Sequence, residues 1–154
     1  MTSSKSISRT APSSVTTTTV TSSMVTVQTN GAGFIDLTRE VAKFVAEAGA
    51  REGALTVFIR HTSASLTIQE NADPSVLRDL ERWMAKLAPE SSVYEHDDEG
   101  PDDMPGHLRS AVTRTSETIP ISGGRLALGT WQALYLWEHR SRPHTRRLVV
   151  TVMG

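Results

Sequence analysis

No cysteine occurs in the 154 residues, which excludes a disulfide framework, a thiolate zinc site and a thiol nucleophile. No charge of one sign dominates either. Sixteen basic and 17 acidic residues leave a formal net charge of −1, so no basic field exists to make nucleic acid the expected main partner. No apolar run approaches the roughly 18–20 residues that span a bilayer, and the N-terminus has no apolar core of a secretory signal. No membrane partner and a cytoplasmic location are expected. What remains is ordinary for one globular domain: 38% hydrophobic and 21% charged residues, enough to bury a core without staples.

The first 23 residues hold fifteen Ser or Thr, with Lys5 and Arg9 as the charges. Such a segment cannot bury enough apolar area to offset its ordering entropy, so residues 1–23 read as a disordered tail and 24–154 as one domain. Two other readings stand beside it: a Ser-rich, acid-poor transit peptide, or an edge strand starting early within 15–27. MVTVQTN (24–30) reads as the first secure strand. DLTREVAKFVAEAG follows as a helix, with Asp36 as N-cap, Gly49 as stop, and Leu37, Val41, Val45 and Ala48 on one stripe. ALTVFIR (54–60) and SLTIQE (65–70) are strands. DPSVLRDLERWMAKLAPE opens with Asp73 at the N-cap and Pro74 at the first helical position. Its apolar face runs through Val76, Leu77, Leu80, Trp83, Met84 and Leu87. A loop with six acids between Glu95 and Asp103 precedes a short helix, HLRSAVT. TIPI, RLAL, WQALYLWE and RRLVVTVM then alternate with turns. The expected class is α+β, an antiparallel β-sandwich covered by two or three helices.

Side chains two apart in a strand share a face. Val57 and Ile59 therefore share theirs with His61, and Leu66 and Ile68 theirs with Glu70. In WQALYLWE, Leu134 and Leu136 lie between Gln132 and Glu138 on one face. A carboxylate on an inward face must be paired, hydrogen-bonded or set where the core opens. His61, Glu70, Gln132 and Glu138 are thus candidate catalytic residues, against the simpler reading of solvated strand ends. Thr62, Ser63 and Ser65 supply hydroxyls and N–H groups that suit an anion or plain turn chemistry. No Ser-His-Asp order is legible, so no acyl-transfer nucleophile is expected.

His96 and His107 close the two ends of the acidic loop. Imidazoles with carboxylates suit a divalent cation, Mg2+ or Zn2+, or a magnesium-bridged phosphate; a solvated acidic loop is the alternative. The histidines of HRSRPHTRR, His139 and His144, read as surface residues. Arg140, Arg142, Arg146 and Arg147 have the guanidinium geometry that binds phosphate.

Three ordered segments, FIRHTSASLTIQENADPSVLRDL, YEHDDEGPDDMPGHLRSAV and IPISGGRLALGTWQALYLWEHR, together resemble the YjbQ-like family, whose members are often labelled secondary thiamine-phosphate synthases. The resemblance covers residues 24–154. It implies a homotrimer with a site near subunit boundaries. Carried onto this chain, that site comprises His61, Thr62 and Ser63; Glu70 and Asn71; His107; Trp131 with Gln132; and Glu138. Ser63 departs from an expected threonine but keeps the hydroxyl, and Tyr94 and His96 fit the pattern. The implied activity joins a hydroxymethylpyrimidine pyrophosphate to a thiazole phosphate with loss of pyrophosphate, as a side activity. The contrasting expectation is a non-catalytic trimeric module that binds a metal or small anion.

Overall fold

The structure is a computed structural model that describes residues 6–91 and 93–154. Eight strands and three helices are formed among these residues. One sheet has the order β1 (Val20–Asn30), β8 (Pro143–Met153), β3 (Gly53–Ile59), β5 (Ser116–Ser122) and β6 (Arg125–Leu126). The other has β2 (Gly33–Asp36), β7 (Gln132–Glu138) and β4 (Ala64–Glu70). Every pairing is antiparallel, as the short connections require. The inward residues of both sheets form one core. Leu55, Val57, Ile59, Leu148 and Val150 meet Leu66, Leu134 and Leu136 from the facing sheet. The α+β class and the antiparallel sandwich are therefore as the alternation predicts.

Helix α1 (Thr38–Ala48) adds Leu37, Val41, Phe44 and Val45 to that core. Asp36 acts at its start, although one residue before the capping position, by accepting the Thr38 N–H at 2.8 Å. Gly49 ends it in the left-handed conformation, φ 70°, which a residue without Cβ adopts freely. In α2 (Pro74–Leu87), Asp73 accepts from the Ser75 N–H as the sequence predicts. The wide apolar stripe is only half used: Met84 is buried, while Trp83 and Leu87 are 55% and 52% exposed.

Two boundaries differ from the sequence reading. Helix α3 spans Asp103–Ala111 and so starts four residues before His107. Pro105 and Gly106 look like loop residues, but a proline in the first turn forfeits only an N–H with no intrahelical partner. Strand β1 starts at Val20, inside the segment read as tail, because β8 is long enough to pair Val20 with Met153. Residues 6–19 are exposed and outside any element; the first five residues of that tail lie outside the described residues.

A chain beginning at Thr19 is expected to melt within about 2 °C of the full chain. One beginning at Met24 loses four cross-strand partners and is expected to melt at least about 4 °C lower. Differential scanning calorimetry of the two truncations checks this; equal melting temperatures would mean that Val20–Ser23 contribute nothing.

Candidate functional site

The inward face of β7 ends on a carboxylate, and the fold pairs it rather than opening to solvent. Glu138 is 1% exposed. Arg146 donates from Nε to Oε2 at 2.7 Å and from Nη2 to Oε1. The Thr29 hydroxyl donates to Oε2 at 2.8 Å, and the Arg140 backbone N–H to Oε1 at 3.0 Å. Burial opposes ionisation, but these donors hold the Glu138 carboxyl below its usual range. Arg146 Nη2 also reaches the Ser63 carbonyl and hydroxyl, at 3.2 and 3.1 Å. The expectation that Glu138 lines an open pocket is thereby corrected: the parity is right, but the group is a buried ion pair. Arg146, with its guanidinium occupied by Glu138, is not free to meet phosphate.

His139 corrects a second expectation. It is 2% exposed rather than at the surface, because the turn folds back over the sheet end. Its Nε2 lies 2.8 Å from the Ser65 hydroxyl, itself fully buried. Burial first, and then the nearby Arg109 charge, push the imidazole down to about 3. His144 is half-buried, with Nδ1 2.7 Å from the Arg142 carbonyl.

His61 stands beside this network. Its Nε2 accepts the Arg147 backbone N–H at 2.8 Å, which places the ring proton on Nδ1. Burial and the Arg146 charge lower its pKa, so at neutral pH it is an uncharged imidazole with Nδ1–H as donor. Thr62 is exposed, while Ser63 is buried.

The acidic loop contributes the third group. Asp103 and His107, four residues apart on α3, share a face. Asp103 Oδ2 lies 2.7 Å from His96 Nε2 and 3.3 Å from His107 Nε2. The three donor atoms fall within 4.8 Å of one another. The Asp103 side chain is 3% exposed, against 46% for His96 and 32% for His107, so a buried carboxylate sits beneath two accessible imidazoles. Burial disfavours the Asp103 anion, but the His96 hydrogen bond and the Arg140 charge keep its pKa low. The same hydrogen bond raises His96. Behind them, Asp102 accepts from the Ser141 backbone N–H at 2.8 Å and from Arg140 Nε at 3.0 Å. Those contacts overcome its burial and draw it down to about 2. A cavity of about 350 Å³ opens beside His96, walled by Tyr94, Pro101, Met104 and Pro105.

Two imidazole nitrogens and one carboxylate oxygen make a donor set that could hold a divalent ion once the 2.7 Å His96–Asp103 hydrogen bond opens. Ligands at 2.0–2.2 Å in a tetrahedral arrangement stand roughly 3.3 Å apart. Nitrogen donors favour Zn2+ over Mg2+. The sequence singled out both histidines but not Asp103, one of six acids in the loop. Its signal was the Asp-x-x-x-His spacing, hidden by reading Pro105 as loop.

The remaining candidates lie elsewhere. Glu70 pairs with Gln132 at the end of β4 and β7 opposite to Ala64 and Glu138, about 20 Å away at roughly 3.4 Å per residue. The Asn71 N–H donates to the Trp131 carbonyl at 3.0 Å, Gln132 Oε1 accepts from the Gly129 N–H at 2.8 Å, and Trp131 is 62% exposed. Glu70, Asn71, Trp131 and Gln132 therefore form a separate group within one chain. Of His61, Glu70, His107, Gln132 and Glu138, expected to share a cavity within one chain or across two, Glu70 and Gln132 are set apart from Glu138 in a single chain by the seven-residue β7.

Two outcomes are expected. Glu138→Ala leaves Arg146 buried without its partner and should cost about 3–5 kcal/mol, read by urea denaturation; a loss under about 1 kcal/mol would mean water reaches the pair. His139 binds fewer protons folded than unfolded between its ordinary pKa of about 6.5 and the folded value of about 3. Stability must therefore fall as pH drops through that window, by about 2 kcal/mol between pH 7 and 5. His139→Gln should flatten this slope; an unchanged slope would place the acid sensitivity elsewhere.

Comparison with known proteins agrees with this architecture. The family model described as UPF0047 protein YjbQ-like matches residues 23–154. A UPF0047 protein of Synechocystis is 52% identical over 132 residues, covering 85% of this chain and 90% of its own. The UPF0047 protein YjbQ of Escherichia coli is 40% identical, covering 84% and 95%. A crystal structure of a YjbQ/UPF0047 family protein from Clostridium acetobutylicum superposes with TM-score 0.78 at 36% identity, covering 84% of this chain and 98% of the other. A YbjQ-like protein of unknown function from Sulfolobus solfataricus shares the fold at TM-score 0.79 and 20% identity, with coverage of 88% and 99%. The chain belongs to the YjbQ-like UPF0047 family.

Proposed function

We propose that this protein is a metal-assisted enzyme acting on a small phosphorylated substrate. The observation that carries the reading is the His96–Asp103–His107 cluster, whose His96 also lines the adjoining cavity. A buried carboxylate under two accessible imidazoles leaves coordination positions free on the open side, the pattern of catalytic rather than structural zinc sites. Zn2+ suits the donor set better than Mg2+.

In its finer form the proposal is the secondary thiamine-phosphate synthase reaction. The carbon–oxygen bond to pyrophosphate breaks with its electron pair leaving on oxygen, and the thiazole nitrogen lone pair forms the new carbon–nitrogen bond. A bound cation would neutralise charge on the departing pyrophosphate. This chain would hold the ring against Tyr94, Met104 and Pro105. Neutral His61 would donate from Nδ1 to a phosphate oxygen, with Thr62 beside it. A cytoplasmic setting belongs to the same proposal; among the described residues no helix is long and apolar enough to cross a membrane.

The separation of Glu70, Asn71, Trp131 and Gln132 from the histidines supports a second part of the proposal, a homotrimer. A site containing both groups needs residues from two copies. Trp131 at 62% exposure, with Trp83 and Leu87 on α2, offers apolar surface suited to burial between subunits.

Demetallated protein titrated with Zn2+ in a calorimeter is expected to bind one ion per chain. His107→Ala should weaken binding at least about tenfold, roughly 1.4 kcal/mol, while the melting temperature barely moves. Release of pyrophosphate from the pyrimidine substrate should follow the same loss. Unchanged affinity with a lowered melting temperature would make His107 structural. Binding without turnover across a panel of phosphorylated compounds would favour the non-catalytic module. Light scattering should give three times 16.8 kDa; a monomer retaining full affinity and turnover would contradict the shared site.

A further inference from the structure

We propose that Arg140 is a positioning residue that sets which cation the centre prefers. It occupies Asp103 Oδ1, so that the carboxylate presents one oxygen, Oδ2, to the ion. The inference rests on the metal centre proposed above and says how that centre selects.

Arg140 follows β7 and turns its guanidinium into the acidic loop. Nη1 donates to Asp103 Oδ1 at 2.7 Å, Nε to Asp102 Oδ2 at 3.0 Å, and Nη2 to the Glu99 carbonyl at 3.1 Å. Three acceptors in three directions require a planar fork; an ammonium is a point charge and cannot span them. The contact with Asp103 is not a by-product of neutralising Asp102, which has two further donors in the Ser141 N–H and hydroxyl, at 2.8 and 3.0 Å. Asp103 Oδ2, by contrast, faces the two histidines, at 2.7 and 3.3 Å. Arg140 thus divides the carboxylate, with one oxygen for the protein and one for the ion.

The stem is fixed as firmly as the head. A Cβ built on Gly106 of α3 would stand 3.3 Å from Arg140 Cδ and 3.3 Å from Ser63 Cβ. The helix backbone therefore closes directly onto the arginine stem, which leaves it little room to swing. The Arg140 N–H is also bound to Glu138, so the guanidinium is aimed from the buried ion pair at the sheet end.

Selectivity follows from donor count. With Oδ1 engaged, the protein offers two nitrogens and a single oxygen, which suits Zn2+. Ca2+ gathers six to eight oxygens and often takes both oxygens of one carboxylate. Removing the guanidinium frees Oδ1, so it should weaken Zn2+ by loosening a ligand and at the same time improve the site for Ca2+.

The test uses the full chain and Arg140→Ala, Arg140→Lys and Arg140→Gln. Zn2+ affinity is read by competition with a chromophoric chelator and Ca2+ affinity by calorimetry. Zn2+ binding is expected to weaken 10–100-fold in Arg140→Ala, the usual range for a residue holding a metal ligand. Ca2+ should bind no worse, so that the Zn2+ to Ca2+ preference drops at least about tenfold. Guanidinium chloride at millimolar concentration should restore part of the Zn2+ affinity in Arg140→Ala only. A merely structural arginine would weaken both ions by the same factor, which would overturn the inference, as would unchanged Zn2+ binding in Arg140→Ala. If Arg140→Ala does not fold, Arg140→Lys decides, because it keeps the charge without the fork. A wild-type preference in Arg140→Lys would overturn the inference. Wild-type protein that binds no Zn2+ would overturn the metal centre and this inference together, whereas wild-type binding with unaltered variants would overturn only the latter.

Discussion

A carboxylate at the inward end of a central strand cannot stay ionised in a core unless it is fully engaged. Glu138 meets that constraint with Arg146, Thr29 and the backbone of Arg140, and much of the functional end of the molecule is arranged by the solution. Arg146 carries its second nitrogen to Ser63 and so fixes the turn between β3 and β4. The backbone of Arg140, bound to Glu138, aims its side chain at Asp102 and Asp103. Through these two arginines one buried acid sets the position of the hydroxyl-rich turn and of the first turn of α3. Such a pair adds little net stability over an apolar replacement. Its contribution is geometry, because guanidinium forks fix orientation as well as charge.

The same end of the sandwich holds the chemistry in graded burial. His139 and Ser65 are sealed and neutral. Asp103 is buried but ionised, and His96 and His107 reach solvent above it. A carboxylate held anionic beneath accessible imidazoles attracts a cation without needing a dense acidic field. Two further loop acids, Asp98 and Glu99, lie within 4 Å of the His96 ring nitrogens. Glycine at position 106 lets α3 approach closely, since a Cβ there would stand 3.3 Å from both Ser63 Cβ and Arg140 Cδ.

The inward parity of Glu138 was legible from WQALYLWE because period-2 alternation is the strongest strand signal. Its partner was not: four arginines between 140 and 147 look alike in the sequence, and only the packing of β8, in the facing sheet, against the end of β7 selects Arg146. His139 failed for a related reason. It follows the last strand residue, where parity no longer applies, and a tertiary fold-back buries it. Asp103 was invisible among six loop acids because proline and glycine in the next three positions argue for a turn, and here a first helical turn accommodates them. The two-ended distribution of Glu70 and Gln132 against Glu138 is written in the strand length itself. Read alone, seven residues set the polar ends about 20 Å apart at roughly 3.4 Å per residue.

The account turns on whether the two histidines and Asp103 meet at a metal. Anomalous diffraction at the zinc edge from crystals grown with Zn2+ tests this most directly. It should give one strong peak per chain, about 2.0–2.2 Å from Nε2 of His96, Nε2 of His107 and Oδ2 of Asp103, with Arg140 still on Oδ1. A map with no peak there, and with the His96–Asp103 hydrogen bond intact at saturating zinc, would contradict it.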